Sequence, residues 1–142
     1  MKSKIQYLFV CLLFLVSAGL IFWKIAAPKE YVFTQGLPVE RIEVFCSITG
    51  ERVVIDRPEQ IASAWETLCG FRRGGRMEEP PPGGEQVSFT VFYEDGTSAT
   101  ASNTCQRLDG TCYEVKGSGV SWEQLWQKLS ALGAVMPPAS QE

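Results

Sequence analysis

The sequence predicts an α+β protein with an N-terminal single transmembrane helix. After it comes a two-layer domain, an antiparallel sheet of about five to six strands with two helices on one face, in the order ββαββββα. Three observations carry this expectation. Ile5–Trp23, IQYLFVCLLFLVSAGLIFW, holds no charged residue, with Lys2 and Lys4 before it and Lys24 after it. Val39–Ile48 and Gln86–Tyr93 alternate apolar and polar side chains at period two. Ile61–Cys69 and Trp122–Leu132 place apolar side chains at helical spacing.

The apolar run organises the chain. At about 1.5 Å per residue, Tyr7–Trp23 reaches ~25 Å, and Ile25–Ala27 extend it if Lys24 snorkels toward the headgroups. Tyr7 and Trp23 stand where an aromatic belt holds the ends of a helix. A cleaved signal peptide is the competing expectation, but its cleavage sites are poor. Ser17-Ala18-Gly19 would leave Leu20–Trp23 as a greasy terminus, and Pro28 follows Ala27. Phe9 and Val10 precede Cys11 where a lipidation site needs small residues. The run therefore reads as an anchor in contact with the lipid bilayer. Its N-terminus is expected in the cytoplasm and the rest outside, as suits a first helix preceded by Lys2, Lys4 and the amino group. Along the chain the expected segments are 1–27 as anchor, 28–38 as a short tether, 39–133 as the domain and 134–142 as a flexible tail.

Composition excludes several classes of function. Residues 1–30 take four of the 13 basic and one of the 16 acidic residues, leaving 9 and 15, a net of −6. An acidic domain argues against nucleic-acid binding and against adhesion to anionic lipid. There are 0 histidines, which removes the commonest general base and metal ligand. No GxSxG, HExxH or CxxC occurs, and the cysteine spacings make no zinc knuckle, so neither cofactor nor metal is expected. Glu78-Glu79 and Glu94-Asp95 are the only clustered carboxylates, and both fall in expected loops.

Each element has its local reason. In Val39–Ile48, Ile42, Val44, Cys46 and Ile48 share one face. Thr49-Gly50-Glu51 turns the chain into Arg52–Ile55. Asp56 and Glu59 are placed as a capping box for a helix in which Pro58 suits the first turn, and Gly70 stops it. Trp65 on its apolar stripe reads as a core anchor rather than a ligand platform. Phe71–Gly84, FRRGGRMEEPPPGG, has no period and reads as an exposed loop; Arg72, Arg73 and Arg76 on glycine-rich backbone are its candidates for holding an anion or a partner. Val87, Phe89, Val91 and Tyr93 point inward on the strongest strand, leaving Phe92 outward as a candidate partner-facing aromatic. A three-residue loop, Glu94-Asp95-Gly96, pairs Phe89 with Ala101 and Val91 with Ala99, and so gathers the apolar residues on one face.

Four cysteines lie beyond the apolar run. Cys105 and Cys112 flank Asp109-Gly110 in a second hairpin, whose register decides their relation. A four-residue loop sets them opposite, a two-residue loop diagonal, and a three-residue loop on opposite faces. Cys46 and Cys69, both inward, are the second candidate disulfide. Ser121 and Gln124 form a capping box for the last helix, whose stripe holds Trp122, Leu125, Trp126, Leu129 and Leu132, with Gly133 as its stop.

The element order, through VxIDxPEQI at Val53–Ile61, VSFTVFYEDG at Val87–Gly96 and LDGTCYEV at Leu108–Val115, resembles small bacterial membrane-anchored and lipoprotein ectodomains. The resemblance spans most of Val39–Leu132 and rests on turn and packing motifs. It implies a fold and a cell-envelope location, and no activity. The chain departs from the lipoprotein members in lacking a lipobox. The expected function is a non-enzymatic, extracytoplasmic binding or interaction module. Its partner is a protein or envelope polymer near the membrane, met through Arg72–Gly84 or the uncovered sheet face. An envelope enzyme using loop carboxylates, or a structural accessory subunit of a membrane complex, is the alternative.

Overall fold

The structure, a computed structural model, describes residues 1–26, 30–117 and 119–139, without the side chains of 23–26. Lys2–Ala26 forms one continuous helix, α1. Its Lys2–Phe22 stretch, 21 residues, is long and apolar enough to cross a membrane, and 0% of its apolar window is buried against the rest of the chain. A signal sequence meets the same test of length and composition. The expected roles of Trp23 and Lys24, and the site after Ala27, lie outside the described residues and side chains.

Beyond α1 the elements are β1 (Val39–Cys46), β2 (Arg52–Ile55), α2 (Pro58–Leu68), β3 (Arg72–Arg76), β4 (Val87–Tyr93) and β5 (Ser98–Ser102). They continue as β6 (Cys105–Leu108), β7 (Thr111–Lys116), α3 (Trp122–Ser130) and β8 (Ala134–Met136). The α+β class stands, with antiparallel strands throughout. The strands exceed the expected five or six and divide into two sheets, β5-β4-β1-β2-β8 and β3-β7-β6.

Period-two burial builds the larger sheet. Ile42, Val44, Val53, Ile55, Val87, Phe89 and Val91 are all buried in one cluster with Ala64 and Leu68 of α2 and Leu125 and Leu129 of α3. Trp65, Trp122 and Trp126 pack against that cluster, as core anchors do. The β4–β5 hairpin takes the three-residue loop: Phe89 pairs with Ala101, Val91 with Ala99, and Gly96 sits at φ 87. The α3 capping box of Ser121 and Gln124 is formed on both sides.

Other local expectations fail for identifiable reasons. Ile48 lies past the end of β1 and is 57% exposed, because the Cys46–Gly50 turn has already reversed the chain. Arg57, not Asp56, occupies the α2 N-cap and makes no side-chain cap bond, so the Asp56–Glu59 box is absent. The α2 C-cap is Cys69 in right-handed geometry, so Gly70 supplies no left-handed stop.

Two stretches expected outside the core belong to it. Within the segment expected as a tether, Val32 and Phe33 are buried, and Phe33 lies 6.4 Å from the Phe71 ring. The Val32 amide donates to the Phe71 carbonyl (2.9 Å) and the Arg73 amide to the Glu30 carbonyl (2.8 Å), with Tyr31 bridged to Arg72. Glu30–Phe33 is therefore a strap along the free edge of β3. The expected loop Phe71–Gly84 begins as that strand. Its missing period reflects a bulge between Arg73 and Arg76, where Gly74 leaves room for the side chains of Lys116 and Glu114.

The expected flexible tail likewise begins as β8, paired with β2 through Val53↔Val135. Gly133 is what admits it. A Cβ there would overlap the Val54 carbonyl oxygen and stand 2.8 Å from Val53 Cγ1. Gly133→Ala should therefore detach β8 or shift β2, costing about 1–3 kcal/mol as overpacking does. Urea unfolding together with amide exchange at Val53–Val54 measures both.

Candidate functional site

The second hairpin builds the site. Asp109 (φ 50) and Gly110 (φ 78) both take left-handed geometry, the signature of a type I′ two-residue turn. That turn sets Leu108 opposite Thr111, Arg107 opposite Cys112, and Cys105 opposite Glu114. Of the three loop lengths, the diagonal one is realised, and direct opposition of Cys105 and Cys112 is not. No disulfide joins them, and Cys46 and Cys69 are likewise free thiols.

β6 is covered on both sides at its start: Cys105 is 1% exposed and its neighbour Gln106 2%. Gln106 ties the two sheets together. Its amide nitrogen donates to the Val32 carbonyl (3.2 Å) and the Thr100 carbonyl (3.4 Å), while its oxygen accepts from Arg73 Nε (3.0 Å). On the other side, the Cys105 thiol donates to Glu85 Oε1 (2.8 Å), and its backbone amide donates to Ser102 Oγ (3.0 Å). Arg107, two residues on, grips Glu85 with both ends of its fork (2.9 and 3.1 Å) and gives Nε to Glu79 (3.0 Å).

This cluster moves its own ionisations. Burial pushes the Cys105 thiol up, the Glu85 carboxylate and Cys112 add to it, and the value reaches about 12. Burial acts upward on Glu85 as well, but bonds from Arg107, Cys105 and Ser102 outweigh it and hold the carboxyl below its ordinary value. A carboxyl lowered in the folded state contributes stability above its unfolded pKa and loses it as pH falls through the folded value. Glu85→Gln should therefore remove part of the acid limb: denaturant midpoints measured downward from pH 7 should decline less in the variant than in wild type below the ordinary glutamate value of 4.5.

Around the cluster the surface is concave. A cleft of about 410 Å³ on the helix-free face of the larger sheet is lined by residues including Phe45, Ser88, Thr100, Ser102, Glu85 and Arg107. A second groove, of about 780 Å³, runs beside Pro80–Gly83 and contains Glu79. The two share Ser47, Glu85 and Arg107, so they adjoin at the ion pair, and the two together are termed the channel.

The arginines singled out in the sequence do not converge. Arg73 is committed to Gln106, with Glu30 3.9 Å away, while Arg72 and Arg76 are exposed positions of β3 facing Lys116 and Tyr113. Phe92 is half-buried under the Arg41 guanidinium, 3.8 Å from the ring centre, a cation–π cover supplied by the chain itself. Glu79 lines a groove; Glu78 and Glu94 line neither of these two. Glu85, Ser102, Gln106 and Arg107 escape sequence reasoning. The one signal for them is a polar and charged pair, Gln106-Arg107, directly after Cys105 in a strand with no apolar alternation. Among the described residues no group of three or more His, Cys, Asp or Glu is placed to hold a metal ion. No protein-family model, curated protein or solved structure matches this chain.

Proposed function

We propose that the chain is a membrane-anchored, non-enzymatic binding module. Its N-terminus lies in the cytoplasm and its domain outside, and it holds an extended segment of a protein or envelope polymer near the bilayer. The channel through Ser47, Glu85 and Arg107 carries this reading. It combines an aromatic edge at Phe45, a row of hydroxyls and a charged pair, the set that grips a linear polar ligand without reacting with it. The chemistry of the cluster supports the non-enzymatic side. Glu85 is held low and Cys105 at about 12, so neither is poised near neutral pH for catalytic acid–base work.

The test blocks the channel without touching the core. Thr100 is exposed on β5 and lines the cleft. Capture from crosslinked membranes should lose a specific partner with Thr100→Trp and retain it with the Arg72/Arg76 double alanine variant, which leaves the Arg73–Gln106 bond in place. Loss only with the double variant would move the binding surface to β3. Loss with neither would overturn the channel.

A further inference from the structure

We infer that Cys105 and Cys112 are a modification site, a thiol pair that a disulfide-donating oxidant converts to an intra-hairpin disulfide, and that this conversion alters the Glu85–Arg107 pair in the channel. The site itself stands on geometry. Thr104 and Val115 occupy a hydrogen-bonding position of the ladder: the Val115 amide donates to the Thr104 carbonyl at 3.0 Å, while the Thr104 amide turns to Ser102 Oγ at 3.2 Å. The next pair along, Cys105 opposite Glu114, is then a non-hydrogen-bonded pair, as is Arg107 opposite Cys112. Side chains at such pairs stand closer across the ladder, and both thiols lie on the same face. Both are buried, Cys105 to 1% and Cys112 to 8% exposure. The Cys112 thiol is near enough to the Cys105 thiol to perturb it. Diagonal neighbours in a regular ladder stand about 7–8 Å apart, beyond the usual disulfide span of about 4.4–6.8 Å, so the strands must shift to close the bond, which makes it a readily reduced disulfide rather than an inert one.

The reaction balances as a thiol–disulfide exchange. Cys112, the less buried residue of the two, gives its proton to solvent and attacks one sulfur of the oxidant's disulfide, and the other sulfur leaves as thiolate. Cys105 then loses its proton through the channel, attacks the Cys112 sulfur of the mixed disulfide, and expels the oxidant's second thiolate. The oxidant gains two electrons and two protons; the hairpin loses them.

The consequence for the channel rests on the proposed binding function. The reduced thiol gives its S–H to Glu85 Oε1. Once oxidised, sulfur donates nothing, and Glu85 presents an acceptor position to whatever lies in the channel. An exported domain sits in the compartment where such exchange occurs.

The bond and its consequence are measured separately, on the full chain in detergent. After equilibration across oxidised and reduced glutathione, alkylation and peptide mapping should show Cys105 linked to Cys112, reversible with the redox ratio. Alkylation of both thiols at the most oxidising ratio, with native circular dichroism retained, would overturn the inference, as would linkage of either to Cys46 or Cys69. The Glu85 carboxyl shift, followed by carbon NMR against pH, should titrate higher in the oxidised than in the reduced chain, and an unchanged midpoint would overturn the coupling. Cys105→Ser keeps a hydroxyl donor for Glu85 and should fix that midpoint at every redox ratio. None of these readouts needs the channel's partner, so failed capture and a failed disulfide are told apart.

Discussion

Replacing Phe33 with alanine is expected to cost about 3–5 kcal/mol of unfolding free energy, the range for truncating a buried phenylalanine. Phe33 is 0% exposed and packs beside Phe71, which in turn meets Phe89 edge-on at 5.8 Å. Losing it opens a void at the junction of the two sheets. The same reasoning fixes where a stable soluble fragment begins. A fragment from Glu30 retains the strap and should unfold cooperatively. One from Val39 removes Val32 and Phe33 from the core and leaves the outer edge of β3 bare, and should show a collapsed denaturant midpoint. Equal midpoints for the two fragments would remove the strap from the folded unit.

Gln106→Leu is expected to cost about 2–4 kcal/mol, because each buried polar group left without its partner costs ~1–3 kcal/mol. Leucine fills the volume but strands the Arg73 Nε donor and the carbonyls of Val32 and Thr100. Gln106→Glu separates the two halves of the role. It keeps an acceptor for Arg73 and loses the amide donors, and should fall between wild type and Gln106→Leu. Guanidinium unfolding of the three proteins checks the order. A loss under about 0.5 kcal/mol for Gln106→Leu, the level of an ordinary surface change, would mean the sheets are joined by apolar packing alone.

The sequence was most informative where one physical rule acts alone. Alternation at Val87–Tyr93 and the demand for a one-sided apolar face selected the β4–β5 register without tertiary information. The Ser121–Gln124 box needed only local geometry. Failures came where a distant partner decides. Arg72–Arg76 has no apolar pattern because its strand identity comes from β7 on one edge and the strap on the other. Ala134–Met136 looks like a fraying end because its stability comes from β2 and from a glycine that permits close approach. The candidate site was illegible for a related reason. Glu85, Ser102 and Arg107 meet only because a two-residue turn places Arg107 opposite Cys112 and because β5 delivers Ser102 beside them. Thr104 and Asn103 show the same dependence, since Asn103 turns the corner by accepting from the Gln86 and Val87 amides (both 3.2 Å).

The strap has a mechanical meaning. Five Cα steps separate Ala26 at the end of α1 from Tyr31, a reach of at most about 18 Å. Any slack before load meets the folded unit is bounded by that short reach. A pull on α1 is delivered to the Arg73–Glu30 hydrogen bond, then to the Val32–Phe71 bond and to a phenylalanine locked under the sheets. Peeling the strap from β3 and opening the core thus become a single event. Force applied at α1 tests the strength of the fold itself, so the strap acts as a grip and not as a leash.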